Sequence, residues 1–252
     1  MKQAKLDKIL RKGKAFFLAY DQGLEHGPSD FNDKNVNPNY IIEIARKAKC
    51  TGIIFQKGIA EKYSKEIKKS KIPLILKLNG KTNLVKGEPV SRQLCSVDEA
   101  IKLGAVAVGY TIYIGSTYES IMMQEFENIE TQAHSRNLPV IAWIYPRGRN
   151  IKNKPKKELM AYAARTGLEI GADIIKIAYN GNPRDLKWAV KSAGKTKVVI
   201  AGGVKKDKRN LLKQVKEIIE SGAIGLAIGR NIWQDKEPLK LAKKINKIIW
   251  KT

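Results

Sequence analysis

Cysteine and histidine are scarce in this chain of 252 residues, two of each. Cys50 and Cys95 stand apart from each other and from both histidines, which suggests neither a disulfide framework nor a thiolate metal site. No second histidine lies four residues from His26 or His134, so a catalytic zinc is disfavoured and no metal or cofactor is expected. Long apolar runs are missing as well. Without a stretch of about 18 apolar residues there is nothing to span a bilayer. The lysine-rich opening, residues 1–14, is too charged for a secretory signal, so the chain is expected to be cytoplasmic and to have no membrane partner. No Gly-x-Gly-x-x-Gly or Walker A loop occurs, which weighs against an open, doubly wound nucleotide-binding sheet. Nothing reads as a flexible linker, and one domain over residues 1–252 is expected.

Acidic residues are also in short supply: 24 against 48 lysines and arginines, a formal charge of +24. Such an excess raises the possibility of a basic nucleic-acid-binding barrel. The lysines are dispersed, however, over most of the expected helices (Lys47, Lys65, Lys102, Lys187, Lys213, Lys243), with no arginine-rich stripe interleaved with aromatics. No specific nucleic acid is expected, and a positive field serves equally to attract phosphorylated metabolites. With 43% hydrophobic residues the composition is that of a globular protein with a sizeable core.

What is present is a recurring βα pattern. Short β-branched runs at 15–20, 51–55, 73–78, 105–110, 139–144, 172–177, 197–201 and 223–228 are each followed by a longer amphipathic stretch, which predicts eight parallel strands and an α/β fold, a (β/α)₈ TIM barrel. Gly104, Gly171 and Gly222 each stand between a helical stretch and a strand, where a left-handed residue ends a helix. Helical spacing appears at Leu159, Ala163, Leu168 and Ile170, and again at Leu211, Leu212, Val215, Ile218 and Ile219. The amphipathic stretch 239–250 either closes the barrel or meets another subunit.

Active sites of such barrels are built at the C-terminal ends of the strands. Residues there include Asp21, Lys77, Asn79, Trp143, Tyr145, Lys176, the pair Gly202 and Gly203, and the pair Gly229 and Arg230. Lys176 is the sharpest signal, a charge in the run 173–178, which beyond Asp173 at its start is otherwise apolar. Burial favours the free amine, a nucleophile that forms an imine with a ketone and turns it into an electron sink. The bland reading is a structural lysine paired with a carboxylate such as Asp21. Lys77, also near a strand end, is the competing nucleophile, with Lys176 then its cationic neighbour. Tyr145 is a candidate proton carrier and Asp21 a group to orient or deprotonate a substrate hydroxyl. Trp143 is either a wall for a sugar chain or core filler. Gly202, Gly203 and Gly229 let backbone amides approach a phosphate, and Arg230 adds charge. His26 sits in the loop beside Asp21, and His134 reads as helix surface.

These segments together resemble one family, the archaeal-type class I fructose-bisphosphate aldolases. The resemblance runs nearly end to end, through residues 19–28, 74–82, 108–113, 143–148, 162–165, the Lys176 strand and 229–231. It implies Lys176 as imine lysine, Tyr145 as proton-transfer residue, and Asp21, Gln22, Trp143 and Arg147 around the substrate. Both glycine sites and Arg230 would hold phosphate. It also implies a glycolytic or gluconeogenic role and a homo-oligomer, a decamer of two pentamers. A related transaldol enzyme, 2-amino-3,7-dideoxy-D-threo-hept-6-ulosonate synthase, uses the same scaffold and lysine and is the alternative reading. Departures from the family pattern fall at Gln22 in place of a histidine, Ala201 in place of a serine, and 179–182 in place of the usual threonine and aspartate.

Overall fold

The computed structural model describes residues 6–251; the first five residues of the lysine-rich opening and Thr252, both within the expected domain, lie outside the described residues. Eight parallel strands close into a barrel: β1 Ala15–Ala19, β2 Gly52–Gln56, β3 Leu74–Lys77, β4 Ala105–Ile114, β5 Val140–Pro146, β6 Ile174–Ile177, β7 Lys197–Ala201 and β8 Gly225–Ile228. Each pairs with its sequence neighbours, and β1 pairs with β8 to complete the ring. The TIM-barrel expectation holds strand for strand. The ends differ most at β4, which continues to Ile114 because Thr111, Ile112 and Tyr113 are as buried and as β-favouring as the residues before them.

Both faces of these strands are covered, which is why they read as continuous apolar runs rather than alternating ones. Phe16, Leu18, Leu76, Val108 and Ile175 face the surrounding helices, while Phe17, Ile54, Ile75, Ile141, Ile174 and Val199 point inward and fill the barrel. Ile9, fully buried, plugs the lower end from the N-terminal segment. Burying each such side chain contributes about 1.5–3 kcal/mol against exposure, so the barrel is a packed core with room for polar groups only at its upper rim.

Local chemistry starts and stops the helices. Asn37, Ser96, Asn182 and Asp207 accept backbone N–H groups at the N-termini of Pro38–Lys47, Val97–Lys102, Pro183–Ser192 and Lys208–Glu220. Gly104, Gly171 and Gly222 do take left-handed backbones before strands, and Lys49, Lys71 and Asn137 do the same work at other joints without glycine. In Lys156–Glu169 the buried line is Met160, Ala163, Ala164 and Gly167. Leu159, Leu168 and Ile170 are only partly covered, a quarter turn away from the face expected of them. The final helix, Pro238–Lys251, buries Leu241, Ala242, Ile245 and Ile249 against the barrel's outer layer, so the stretch 239–250 covers the seam where the ring closes. Its Trp250 indole donates to Arg11 O at 3.0 Å, and the Arg11 guanidinium lies 3.7 Å from that ring.

His134 corrects its assignment to helix surface. It lies on Glu119–Ser135 between two carboxylates, 2.7 Å from Glu130 and 2.8 Å from Asp173, and Asp173 also accepts the Val140 N–H at 2.8 Å. The imidazole therefore ties a helix to the lower ends of β5 and β6.

Candidate active site

A cavity of about 280 Å³ opens at the C-terminal ends of the strands. Of the residues expected from the sequence, Asp21, Gln22, Lys77, Trp143, Tyr145, Arg147 and Lys176 line it on one side and Gly202, Gly203, Gly229 and Arg230 on the other, whereas Asn79 lies outside it, buried and donating to Ser91 O and Thr111 O. Strand alternation explains the convergence. Ile174 faces inward, so Lys176 two residues on does too, and the same step carries Ile141 to Trp143 and Tyr145, and Ile75 to Lys77.

Lys176 is 6% exposed, and its Nζ stands 5.0 Å from the centre of the Trp143 ring. Burial lowers its pKa to about 8; Asp21 works against that shift and Lys77 adds to it. Asp21 does not pair with Lys176. Its Oδ2 is 3.4 Å from Nζ of Lys77, with both side chains buried, so the carboxylate partner considered for Lys176 belongs to Lys77. Burial pushes the Asp21 carboxyl upward, and the two lysines with local hydrogen bonds more than reverse it, holding the group below the usual carboxylate range.

Trp143 is both wall and core. It is 1% exposed, its ring occupies the space left by the missing side chain of Gly109, and its Nε1 has no protein partner among the described residues. Gln22 likewise has an unpartnered buried Nε2 at the rim. Tyr145, partly buried at the top of β5, has its pKa raised well above the ordinary phenol value, chiefly by burial. Arg147 follows on the same strand's exit. It donates to Glu25 Oε1 at 2.9 Å and lies 5.4 Å and 5.5 Å from the rings of Tyr113 and Tyr145.

Across the mouth, Gly202 and Gly203 leave β7 and Gly229 leaves β8. A side chain at Gly229 would meet Ala19 O at 2.3 Å, and one at Gly202 would meet Ile228 Cγ1 at 2.6 Å, so these turns are as close to the neighbouring strands as backbone allows. Asn231, buried beneath them, donates to Gly202 O and Val204 O and accepts from the Lys206 N–H. It fastens the β7 turn to the β8 turn. Arg230 is not free in this structure: its Nη1 is 3.5 Å from Asp30, which also holds His26 Nδ1 at 2.6 Å. Glu25, Tyr113 and Asn231 were not expected at the site. All three lie in segments that carry the family resemblance, but their partners are remote in sequence, Arg147 for Glu25 and the Gly202 turn for Asn231. Among the described residues no group of three or more Cys, His, Asp or Glu is arranged to hold a metal ion.

A buried amine, a phenol, a carboxylate and two glycine turns around one cavity are the equipment of a carbon–carbon lyase, and residues 15–235 match the DeoC/LacD family of aldolases, to which this chain belongs. Within it the similarity narrows to class 1 fructose-bisphosphate aldolases. The enzyme of that name from Thermoproteus tenax is 50% identical over 243 residues, covering 95% of this chain and 91% of the relative. A solved Schiff-base-forming fructose-1,6-bisphosphate aldolase superposes with a TM-score of 0.93 at 49% identity, over 97% of this chain and 98% of the other. An archaeal fructose-1,6-bisphosphate aldolase, solved with its catalytic lysine covalently bound to the carbinolamine intermediate, superposes at 0.92 and 48% identity over 97% of each chain.

Proposed function

We propose that this protein is a class I aldolase that reversibly cleaves fructose 1,6-bisphosphate to dihydroxyacetone phosphate and glyceraldehyde 3-phosphate, with Lys176 as the imine lysine. The observation that carries the reading is the buried amine of Lys176, lowered to about pKa 8, inside a cavity that also holds Tyr145 and Asp21. An amine so tuned has a useful fraction unprotonated near neutral pH. The similarities to Schiff-base fructose-bisphosphate aldolases favour this over the transaldol reading.

The Lys176 amine adds to the substrate ketone to give a carbinolamine, and loss of water leaves an iminium. The carbon–carbon bond beside it breaks, its electron pair flows into the iminium to form an enamine, and the departing hydroxyl gives up its proton to become the aldehyde. Protonation of the enamine carbon and addition of water release the second product and the free amine. Tyr145 carries protons, since its high pKa keeps the phenol a donor between transfers, and Asp21 orients the hydroxyl that loses its proton. Gln22 and Trp143 offer their unpartnered N–H groups to substrate oxygens, and Arg147 guards the outer end. Gly202, Gly203 and Gly229 present backbone amides to a phosphate, with Arg230 moving from Asp30 onto it. No cofactor takes part. We place the enzyme in the cytoplasm, in glycolysis or gluconeogenesis, as a homo-oligomer, a decamer of two pentamers.

Borohydride tests the assignment. Reduction in the presence of dihydroxyacetone phosphate converts the imine to a stable amine, and peptide mapping should find the three-carbon unit on Lys176 alone. Label on Lys77 instead would move the nucleophile, and no labelled lysine despite substrate binding would refute the Schiff-base mechanism.

A further inference from the structure

Two phenols stand side by side where β4 and β5 leave the barrel, and only one of them reaches the cavity. We propose that Tyr113 is a positioning residue for Tyr145: the two rings make one surface on which Arg147 lies, and this surface holds the proton-carrying phenol in place. The inference rests on the reading of Tyr145 as proton carrier and asks what fixes it there.

Register supplies the pair. β4 and β5 stay joined to their last residues, with Tyr113 opposite Tyr145 and Ile114 opposite Pro146. Steps of two carry β4 from Ala107 and Gly109 to Tyr113 and β5 from Ile141 and Trp143 to Tyr145, so both rings lie on the inner side. Tyr113 is 1% exposed and does not line the cavity, whereas Tyr145 is partly exposed and does. The Tyr145 hydroxyl makes no hydrogen bond among the described residues, so the walls around its ring set its direction. Arg147 is one of those walls. Its guanidinium is 5.4 Å from the centre of the Tyr113 ring and 5.5 Å from that of Tyr145, near-equal distances that lay it across both. It has little freedom to drift. The Arg147 N–H donates to Ile114 O at 3.0 Å, its guanidinium donates to Glu25 Oε1 at 2.9 Å, and Gly148 approaches so closely that a side chain there would meet Gly115 O at 2.2 Å. Tyr145 is thereby steadied by a fixed cation and a buried ring on sides that do not face Lys176. Burial raises the pKa of both phenols, and Tyr113, neutral and away from the cavity, serves as a wall rather than as a second proton carrier. Position matters for the carrier because proton transfer needs hydrogen-bond reach, and a misplacement of about 1 Å can cost on the order of a hundredfold.

Two rates measured on dihydroxyacetone phosphate test this. Borohydride trapping at Lys176 reports the imine, and deuterium uptake from solvent at the unphosphorylated carbon beside the ketone reports proton transfer to and from the enamine. In Tyr113→Leu uptake should fall roughly tenfold to a hundredfold relative to trapping. Tyr113→Phe, which keeps the ring, should hold uptake near the wild-type rate. Tyr113→His, a smaller change, should show the same split in lesser degree and serves if the leucine variant does not fold. Equal falls in both rates, or undiminished uptake, overturn the role of Tyr113. So does a phenylalanine variant as slow as the leucine one, since the hydroxyl and not the ring would then be at work. Tyr145→Phe separates this inference from the reading beneath it: uptake at the wild-type rate in that variant removes Tyr145 from proton transfer and the inference with it. Uptake lost in Tyr145→Phe but kept in Tyr113→Leu overturns Tyr113 alone.

Discussion

Gly109→Ala should damage fold and site together. Gly109 faces the barrel interior, and a methyl carbon there would stand 1.5 Å from Trp143 Cζ3 and 1.7 Å from its neighbouring ring carbon, less than half an ordinary contact. The backbone cannot retreat, since β4 is paired with Lys77 of β3 on one side and Ile141 of β5 on the other. The indole must move instead, and it is buried among core side chains. Overpacking of this kind costs about 1–3 kcal/mol. For a domain of this size each kcal/mol shifts the melting midpoint by about 2–4 °C, which gives an expected fall of roughly 2–12 °C. Because the displaced ring is the one 5.0 Å from Lys176 Nζ, borohydride trapping should slow as well. Gly58→Ala is the control: no atom lies within 4 Å of its added carbon, it sits in the helix Lys57–Lys62, and alanine should be neutral or slightly stabilising. Thermal melts by circular dichroism with parallel trapping rates decide the matter. A Gly109→Ala protein melting within about 1 °C of wild type and trapping at the wild-type rate would refute this account of Trp143.

Three further outcomes are expected. His134 has a raised pKa, first from its hydrogen bond to Asp173, with burial opposing. Its stabilisation is therefore fully present below its ordinary value of 6.5 and is lost as pH rises through the higher folded value, so denaturant melts of His134→Gln should show their largest deficit on the acid side. A deficit that grows toward alkaline pH would contradict this. Tyr145→Phe should still be trapped at Lys176 but turn over slowly, which single-turnover and steady-state rates together will separate; undiminished kcat would remove Tyr145 from proton transfer. Arg230→Ala should raise KM for a bisphosphate far more than for a non-phosphorylated analogue, whereas equal losses would make Arg230 merely the partner of Asp30.

Much of the barrel was legible because its physics is local. A parallel strand buried on both faces is a short apolar run, and a left-handed glycine before it is a visible joint, so eight strands could be counted; Lys49, Lys71 and Asn137 hid the other joints because their conformation leaves no mark in residue type. Lys176 was legible for the opposite reason, as a charge where the strand permits none. Pairings between remote segments were not. Glu25 and Arg147 are 122 residues apart, and His134 meets Asp173 across 39, distances over which no periodicity reports. The two-stranded ribbon of Asn79–Gly80 with Arg92–Gln93 was missed since its residues are polar and its strands too short to show alternation.

Closure of the ring has a consequence for how the enzyme comes into being. The Trp233 indole donates to Ala19 O across 214 residues, and β8 is the strand that pairs with β1. Asp21 and Arg230 face the same cavity from the two sides of that seam. Contacts of such long range are reached late in folding, after the entropy of closing the largest loop has been overcome. A chain still emerging from the ribosome can therefore assemble most of its helices and the inner strands, yet own no complete substrate pocket until its last strand docks. Catalytic competence becomes a report on completed synthesis, and a half-made barrel holds an exposed Lys176 amine in water, where it is an ordinary lysine.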